Sequence, residues 1–143
     1  MRYAIEAITL PVSDVDRAKA FYEQAGWNLD LDTRPTPGMR VVQFTPPGSD
    51  CSISFGTGIP QSEPGSYRNT YLVVADIEAA HRELRDRGIE ISDIYHFGPK
   101  GQTPGPDPDH GDYASFASFA DPDGNTWLLQ EVPSRGRETE SNG

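Results

Sequence analysis

The chain has 143 residues, a net charge of −10 from 22 acidic and 12 basic side chains, and a single cysteine. This length fits one domain with a real core, and the acidic balance argues against a nucleic-acid partner. One cysteine excludes a disulfide framework and a multi-cysteine metal site, and no apolar run is long enough to span a membrane. The N-terminal residues enter a strand rather than a signal-peptide core, so we expect a soluble cytoplasmic protein.

The first predicted elements are a strand and a helix that the chain repeats. The stretch from Leu10 to Asp30 aligns without a gap with the stretch that begins at Leu72. Because only two copies occur, and each is too long for a solenoid repeat, the pattern indicates a duplicated half-domain.

Each copy carries the signals of a strand followed by a capped helix and three further strands. Alternating apolar residues predict a strand with one buried face. Asp14 and Asp76 predict helix N-caps, and Gly26 and Gly88 predict the helix ends. The remaining predicted strands are Trp27 to Thr33, Met39 to Thr45, Cys51 to Thr57, Glu90 to Phe97, Tyr113 to Phe119 and Asn125 to Val132.

The Pro- and Gly-rich stretches divide the chain. They predict a first module over residues 1–57, a linker over 58–66 and a second module over 67–132, and the lack of apolar residues predicts a disordered tail over 133–143. Within the second module, the Pro/Gly-rich stretch from His96 to Asp112 is too long for a hairpin turn, so we expect a lid or a mobile loop. The DPDG sequence that begins at Asp121 predicts a turn without a catalytic role.

Three motifs carry a resemblance: ITLPVSDVDRAKAFYEQAG, YLVVADIEAAHRELRDRG and FADPDGNTWLLQE. Together, over Tyr3 to Val132, they resemble the vicinal oxygen chelate superfamily of glyoxalase I, extradiol dioxygenases, fosfomycin-modifying enzymes and bleomycin-resistance binding proteins. The resemblance implies an α+β fold of two tandem βαβββ modules that form an open barrel-like cleft, and a homodimer. It leaves the function open, because such folds host isomerases, dioxygenases, transferases and pure binders.

The resemblance also implies where a metal would be held in the enzymes of this superfamily. The matching positions in this chain are Ala7, Asn69, Leu128 and either Ile53 or Ser54. Alanine and leucine donate nothing to a cation, and asparagine alone is a poor ligand. We therefore expect neither a metal site nor a cofactor.

The three histidines are the remaining candidates for a different site. His81 is predicted on a solvated helix face, and His96 ends a strand. His110 belongs to the predicted loop, near Asp107, Asp109 and Asp112. One histidine and three aspartates could hold a cation, but the Pro and Gly spacing fixes no geometry, which favours a solvated acidic loop.

Strand parity predicts which faces line a binding cleft. Ile8, Leu10, Trp127 and Leu129 are predicted to pack under the helices, while the acids Glu6 and Glu131 are interpreted as edge or interface charges. The opposite faces and a share of the strand aromatics give the candidate ligand-binding residues. These are Ala7, Thr9, Phe44, Phe55, Asn69, Tyr71, Tyr95, Phe97, Phe116, Leu128 and Gln130. Such a wall suits a flat aromatic or mostly apolar small molecule.

Two functions follow as hypotheses. The first is a metal-independent binding protein of the bleomycin-resistance type that holds an aromatic or antibiotic-like ligand. The second is a divergent glyoxalase-like isomerase, lyase or dioxygenase, with relocated metal ligands or with metal-free acid–base chemistry. The acid–base candidates are Tyr71, Tyr95, His96 and His110.

Overall fold

The computed structural model describes residues 1–136 and divides into two compact units. The first unit comprises Met1–Tyr67 and Asp121–Asn125, and the second comprises Arg68–Ala120 and, of the described residues, 126–136. In the described part of the chain, no helix is long and apolar enough to cross a membrane.

The first unit is a four-stranded mixed sheet with one helix. Its elements are β1 (Ala7–Thr9), α1 (Val15–Gln24), β2 (Asn28–Thr33), β3 (Arg40–Thr45) and β4 (Ser52–Thr57). The strand order is β1-β4-β3-β2, in which β1 and β4 run parallel and the other neighbours run antiparallel. This is the predicted βαβββ module.

The second unit repeats the plan with one strand more. Its elements are β5 (Thr70–Val74), α2 (Ile77–Asp86), β6 (Tyr95–Gly98), β7 (Gly101–Pro104), β8 (Ser115–Ala120) and β9 (Thr126–Glu131). The strand order is β5-β9-β8-β6-β7, again with one parallel pair, β5 with β9. The two open sheets and two helices confirm the predicted α+β class with tandem modules.

The predicted helix caps are confirmed in both units. The Asp14 side chain accepts the backbone N–H of Arg17 at 3.1 Å, and Asp76 accepts that of Ala79 at 3.0 Å. Gly26 and Gly88 follow the helices with φ of 88° and 84°, a conformation that glycine adopts without steric cost.

The prediction of a long loop after His96 is wrong, because part of this stretch pairs as a β-hairpin. Tyr95 to Gly98 pairs antiparallel with Gly101 to Pro104, and Gly98 faces Gly101 across a tight turn. Gly101 has φ of 102°, so its missing side chain permits the turn that the sequence analysis did not recognise.

The core of the first unit is an aromatic cluster beneath α1. Tyr22 projects from the helix onto Phe44 of β3 and Phe55 of β4, with ring centroids 6.0 Å from each, and it lies 5.0 Å from Trp27. Tyr22, Phe44 and Phe55 are fully buried. Packed aromatic pairs add stability beyond the area they bury, so this cluster fixes α1 on the sheet.

Charged side chains tie α1 to the edge strand β2. Arg40 on β3 binds both oxygens of Asp32 at 2.9 and 2.8 Å and also contacts Asp16 of the helix at 2.7 Å. Lys19 adds a contact to Asp32 at 2.9 Å. The hydrogen bonds from Arg40 and Lys19 hold the pKa of Asp32 well below its ordinary value. This bidentate arrangement orients β2, whose residues are otherwise exposed.

The turn at Asp121 supplies a buried polar network to the first unit. Its carboxylate accepts the Tyr22 hydroxyl at 2.9 Å, the Asn125 amide at 3.0 Å and the backbone N–H groups of Asp123 and Asn125 at 3.0 and 2.9 Å. The Asn125 amide also donates to the Pro11 carbonyl at 2.8 Å. The DPDG sequence therefore has a structural role, since the Asp121 carboxylate accepts hydrogen bonds from donors that are buried away from water.

Residues 133–136, which were expected to begin a disordered tail, instead form a helical turn. The backbone N–H of Ser134 donates to Asp112 at 3.0 Å, and that of Arg135 donates to the Val132 carbonyl at 2.9 Å. These bonds order a stretch that has no apolar signal. The rest of the expected tail, 137–143, lies outside the described residues.

Replacement of Asp121 by alanine is expected to lower the free energy of unfolding by about 3 kcal/mol, because buried donors lose their acceptor. Urea denaturation followed by circular dichroism measures the change. The matched control is Asp109→Ala, an exposed loop aspartate, which should change stability by less than about 0.5 kcal/mol. Equal losses in the two variants would contradict the network.

Candidate functional site

The sheet of the second unit has one face under α2 and one open face. Trp127, Leu129 and Glu131 of β9 are buried, and the Glu131 carboxylate accepts the first helical N–H of α2, which identifies the helix side. Alternation along β9 places Leu128 and Gln130 on the opposite face, where Leu128 is buried and Gln130 is half-buried. Through the strand registers, the same open face carries Tyr71, Val73, Tyr95, Phe97, Phe116 and Ser118.

Three aromatic rings cluster on this open face. Tyr95 and Phe116 are stacked with centroids 5.7 Å apart, and Phe97 meets both rings edge-on at 5.8 and 5.7 Å. Phe97 is 64% exposed and Tyr71 is 58% exposed. An aromatic cluster with an exposed ring, as at Phe97, is typical of a binding site rather than of a solvated sheet.

A cavity of about 470 Å³ adjoins the aromatic cluster, and Tyr95 belongs to both. Beside the Tyr95 ring, it is lined by polar groups of Ser92, Asp93, Gln102 and Ser118. Ligand cavities in proteins have volumes of this order and combine apolar walls with a few hydrogen-bonding groups. We refer to the cluster of Tyr95, Phe97 and Phe116 together with this cavity as the aromatic site.

Six of the predicted ligand-binding residues are brought to the open face of the second sheet. They are Tyr71, Tyr95, Phe97, Phe116, Leu128 and Gln130. Asn69 precedes β5 with φ of 52°, and its backbone N–H donates to the Thr126 hydroxyl at 2.7 Å. Its exposed side chain approaches that hydroxyl at 3.5 Å.

Phe44 and Phe55 do not have the expected placement. Both lie under α1 in the core of the first unit, without solvent exposure. Their register explains the error: Phe44 pairs with Ile53, which pairs with the helix-side residue Ile8. The face away from α1 carries Ala7, Thr9, Ser52, Ser54 and Gln43, a small and polar surface.

The positions that match the superfamily's metal ligands do not fit a cation. Ala7 and Leu128 bring no donor atom, and Ile53 is buried on the helix side of its sheet. Ser54 and Asn69 offer only neutral oxygens, which are weak ligands for zinc or iron. Among residues 1–136, no group of three or more His, Cys, Asp or Glu side chains is arranged to hold a metal ion.

Two of the histidines bind backbone carbonyls. His81 on α2 donates from Nε2 to the carbonyl of Ser92 at 2.9 Å, and His96 on β6 donates from Nδ1 to that of Gly105 at 2.8 Å. Each bond fixes a connecting segment to a helix or strand, so we assign both side chains a structural role.

His110 has a different environment from the one expected. Its Nδ1 donates to Glu131 at 2.9 Å, and its Nε2 lies 3.6 Å from Glu78. The hydrogen bond to Glu131, together with the charges of Glu131, Glu78 and Asp107, raises the pKa of His110 above its ordinary value. The interpretation of Glu131 as an edge charge is wrong, because its side chain is buried at the N-terminus of α2.

Sequence reasoning missed the polar lining of the aromatic site. Ser118 shares parity with Phe116, so alternation along β8 contained the signal for it. The composition of β7 predicts a loop, so Gln102 and Pro104 are not among the predicted residues, although the two glycines of GPKG at 98–101 fit a hairpin turn.

Comparison with known proteins gives a consistent family. The model of the Glyoxalase/Bleomycin resistance protein/Dioxygenase superfamily matches residues 4–129. A "Glyoxylase-like domain-containing protein" of Didymella fabae is 28% identical over 137 residues, which are 92% of this chain and 95% of that protein.

Solved structures of the same kind are similar over nearly the whole chain. TnmS3, an antibiotic binding protein from Streptomyces sp. CB03234, is 30% identical with a TM-score of 0.69, over 92% of this chain and 97% of that one. A glyoxalase/bleomycin resistance protein from Streptomyces sp. CB03234 is 31% identical with a TM-score of 0.66, over 90% and 100% of the two chains.

The raised pKa of His110 makes stability depend on pH. A group whose folded-state pKa is raised contributes stability that is fully present below its unfolded pKa, about 6.5, and lost as pH rises through the folded pKa. The free energy of unfolding of the wild type should therefore exceed that of His110→Gln most at about pH 5 to 6, and the difference should shrink toward pH 9. Urea denaturation across this range measures it. His81→Gln is the control, and an identical pH slope in His110→Gln and wild type would contradict the assignment.

Proposed function

The chain belongs to the Glyoxalase/Bleomycin resistance protein/Dioxygenase superfamily, and from that premise we propose that it is a metal-independent binding protein for an aromatic or antibiotic-like small molecule. The observation that carries the proposal is the cluster of the half-buried Tyr95 and Phe116 with the exposed Phe97, beside a cavity of about 470 Å³.

The geometry of the aromatic site supports a flat ligand. Phe97 stands edge-on to both Tyr95 and Phe116, so an incoming planar ring has an aromatic edge and an aromatic face within reach. Stacked and edge-to-face aromatic contacts each add binding energy beyond the apolar area that they bury. Gln102, Ser118 and Tyr95 line the cavity, and their side chains have hydrogen-bonding groups that can orient the ligand.

Metal independence is supported by the chemistry of the superfamily's ligand positions. A catalytic cation in such a site needs about three imidazole or carboxylate donors, whereas Ala7 and Leu128 provide none. We therefore propose that the binding energy comes from stacking and hydrogen bonds alone.

The similar structures support the antibiotic class of ligand. TnmS3 is described as an antibiotic binding protein, and it covers this chain at 30% identity. Sequestration of a toxic aromatic compound would then give resistance without chemistry. We also propose a cytoplasmic location, for which the single cysteine is the support, and a homodimer, as the resemblance implies.

The alternative of a divergent isomerase, lyase or dioxygenase is less well supported at the aromatic site. Tyr71 and Tyr95 are the acid–base candidates on the open face, and His96 is engaged with a backbone carbonyl. His110 lies near the N-terminus of α2, where it binds the helix-side residue Glu131.

Replacement of Phe97 by alanine is expected to weaken binding of a flat aromatic ligand at least about tenfold, because an edge-to-face contact with the ligand is lost. Since Phe97 is largely exposed, stability should change by less than about 1 kcal/mol. Isothermal titration with bleomycin and a panel of planar aromatic antibiotics measures the affinity.

Tyr3→Ala, which removes another exposed aromatic ring, is the matched control and should leave the affinity unchanged. Protein treated with EDTA and dialysed should bind with the same affinity as untreated protein. Equal affinities of Phe97→Ala and wild type, or loss of binding after EDTA, would contradict the proposal.

A further inference from the structure

A second cavity lies beside α2 in the second unit, apart from the aromatic site in its lining. Its volume is about 450 Å³, and the side chains that matter for its chemistry are those of Asp76, Glu78, Arg82, His110 and Glu131. None of these residues lines the aromatic site. The cavity therefore needs an explanation of its own.

His110 and Glu131 form an oriented pair in this cavity. Glu131 is 2% exposed, and one of its oxygens accepts the backbone N–H of Ile77 at 2.9 Å while the other accepts Nδ1–H of His110 at 2.9 Å. A buried carboxylate on Nδ1 fixes the ring orientation and leaves Nε2 as the nitrogen that exchanges protons.

The loop that carries His110 is held in a strained conformation. His110 and Tyr113 have φ of 46° and 65°, in the left-handed region that non-glycine residues rarely adopt. The conformation is maintained by Asp107, whose carbonyl accepts the His110 N–H and whose carboxylate accepts the Gly111 N–H, both at 2.9 Å. Strain of this kind is often found at functional sites.

The charges around Nε2 are mixed. Glu78 and Arg82 are four residues apart, so they share one side of α2. Asp76 is engaged as the helix cap, and the two oxygens of Glu131 have the donors described above. Glu78 therefore supplies the exposed carboxylate nearest to Nε2, and Arg82 supplies a guanidinium that can bind an anionic group.

We propose that this cavity is an acid–base site, at which His110 Nε2 activates a water molecule against a small ester that carries an anionic group, with Glu131 as the positioning residue and Arg82 as the anion-binding residue. Nε2 accepts a proton from water while the water oxygen bonds to the ester carbonyl carbon. The ester C–O bond then breaks, the alkoxide or phenolate leaves, and Nε2 returns its proton to the leaving group or to solvent.

The test uses the full chain and two chromogenic esters that differ by one carboxylate. The anionic probe is 4-acetoxy-3-nitrobenzoate and the neutral probe is 2-nitrophenyl acetate. Wild type should hydrolyse the anionic probe with saturable kinetics, and His110→Gln should lower kcat by about 100-fold, the order expected for loss of a general base. His81→Gln and His96→Gln are the matched controls and should keep the wild-type rate.

Three further variants separate catalysis from folding. Glu131→Gln should lower kcat and shift the midpoint of the pH–rate profile to lower pH, because the imidazole loses its anionic partner. Arg82→Gln should raise KM for the anionic probe only, and Glu78→Gln should lower it. Circular dichroism melts verify that each variant is folded.

Unsaturable hydrolysis by wild type, or equal rates for wild type and His110→Gln, would overturn the proposal. The same holds if Glu131→Gln lowers stability without moving the pH–rate midpoint, since Glu131 would then be a structural anchor only. None of these results bears on Phe97, so the ligand-binding proposal stands or fails separately.

Discussion

Among the helices described here, α1 packs on the first sheet and α2 on the second, and this constraint determines what the strands can do. One helix buries one face, so the other face of the same strands is left for other contacts, and in the second unit it exposes rings such as Tyr71 and Phe97. In the first unit the helix side takes the aromatic rings, with Phe44 and Phe55 against Tyr22. In the second unit the rings of Phe97 and Phe116 lie on the open side. The helix side of the second unit also has buried aromatics, Phe119 and Trp127. The duplicated modules thus share a backbone plan, and the second differs by an additional aromatic cluster on the face away from its helix.

Two buried carboxylates accept hydrogen bonds where strands, turns and helices meet. Asp121 satisfies the Tyr22 hydroxyl and its own turn, and Glu131 satisfies the first N–H of α2 and the His110 ring. Asp121 directly follows β8, Glu131 is the last residue of β9, and both are almost fully buried. A buried carboxylate is tolerated when several donors reach it. The donors to Asp121 named above are parts of the fold, whereas one donor to Glu131 is a histidine that also faces a cavity, so Glu131 can serve chemistry as well as folding.

The periodicity of the chain was sufficient to predict the modules, their helix caps and the helix-facing side of β1 and β9. The same parity argument, carried from Ile8 through Ile53 to Phe44, would have placed Phe44 and Phe55 in the core. The strand β7 was missed because a glycine-rich tight turn resembles a loop in composition. The pairing of His110 with Glu131 could not be predicted from the sequence. It depends on a left-handed backbone conformation at His110, which no local sequence pattern indicates.

The central claim is that ligand recognition belongs to the open face of the second sheet. The most direct test is to titrate a planar aromatic antibiotic into protein labelled with carbon-13 in its phenylalanine rings, and to record the aromatic NMR spectrum. The account predicts saturable shifts in the signals of Phe97 and Phe116, while those of the core residues Phe44 and Phe55 stay in place. Saturable shifts confined to Phe44 and Phe55, or absent from Phe97 and Phe116 while the ligand binds, would contradict it.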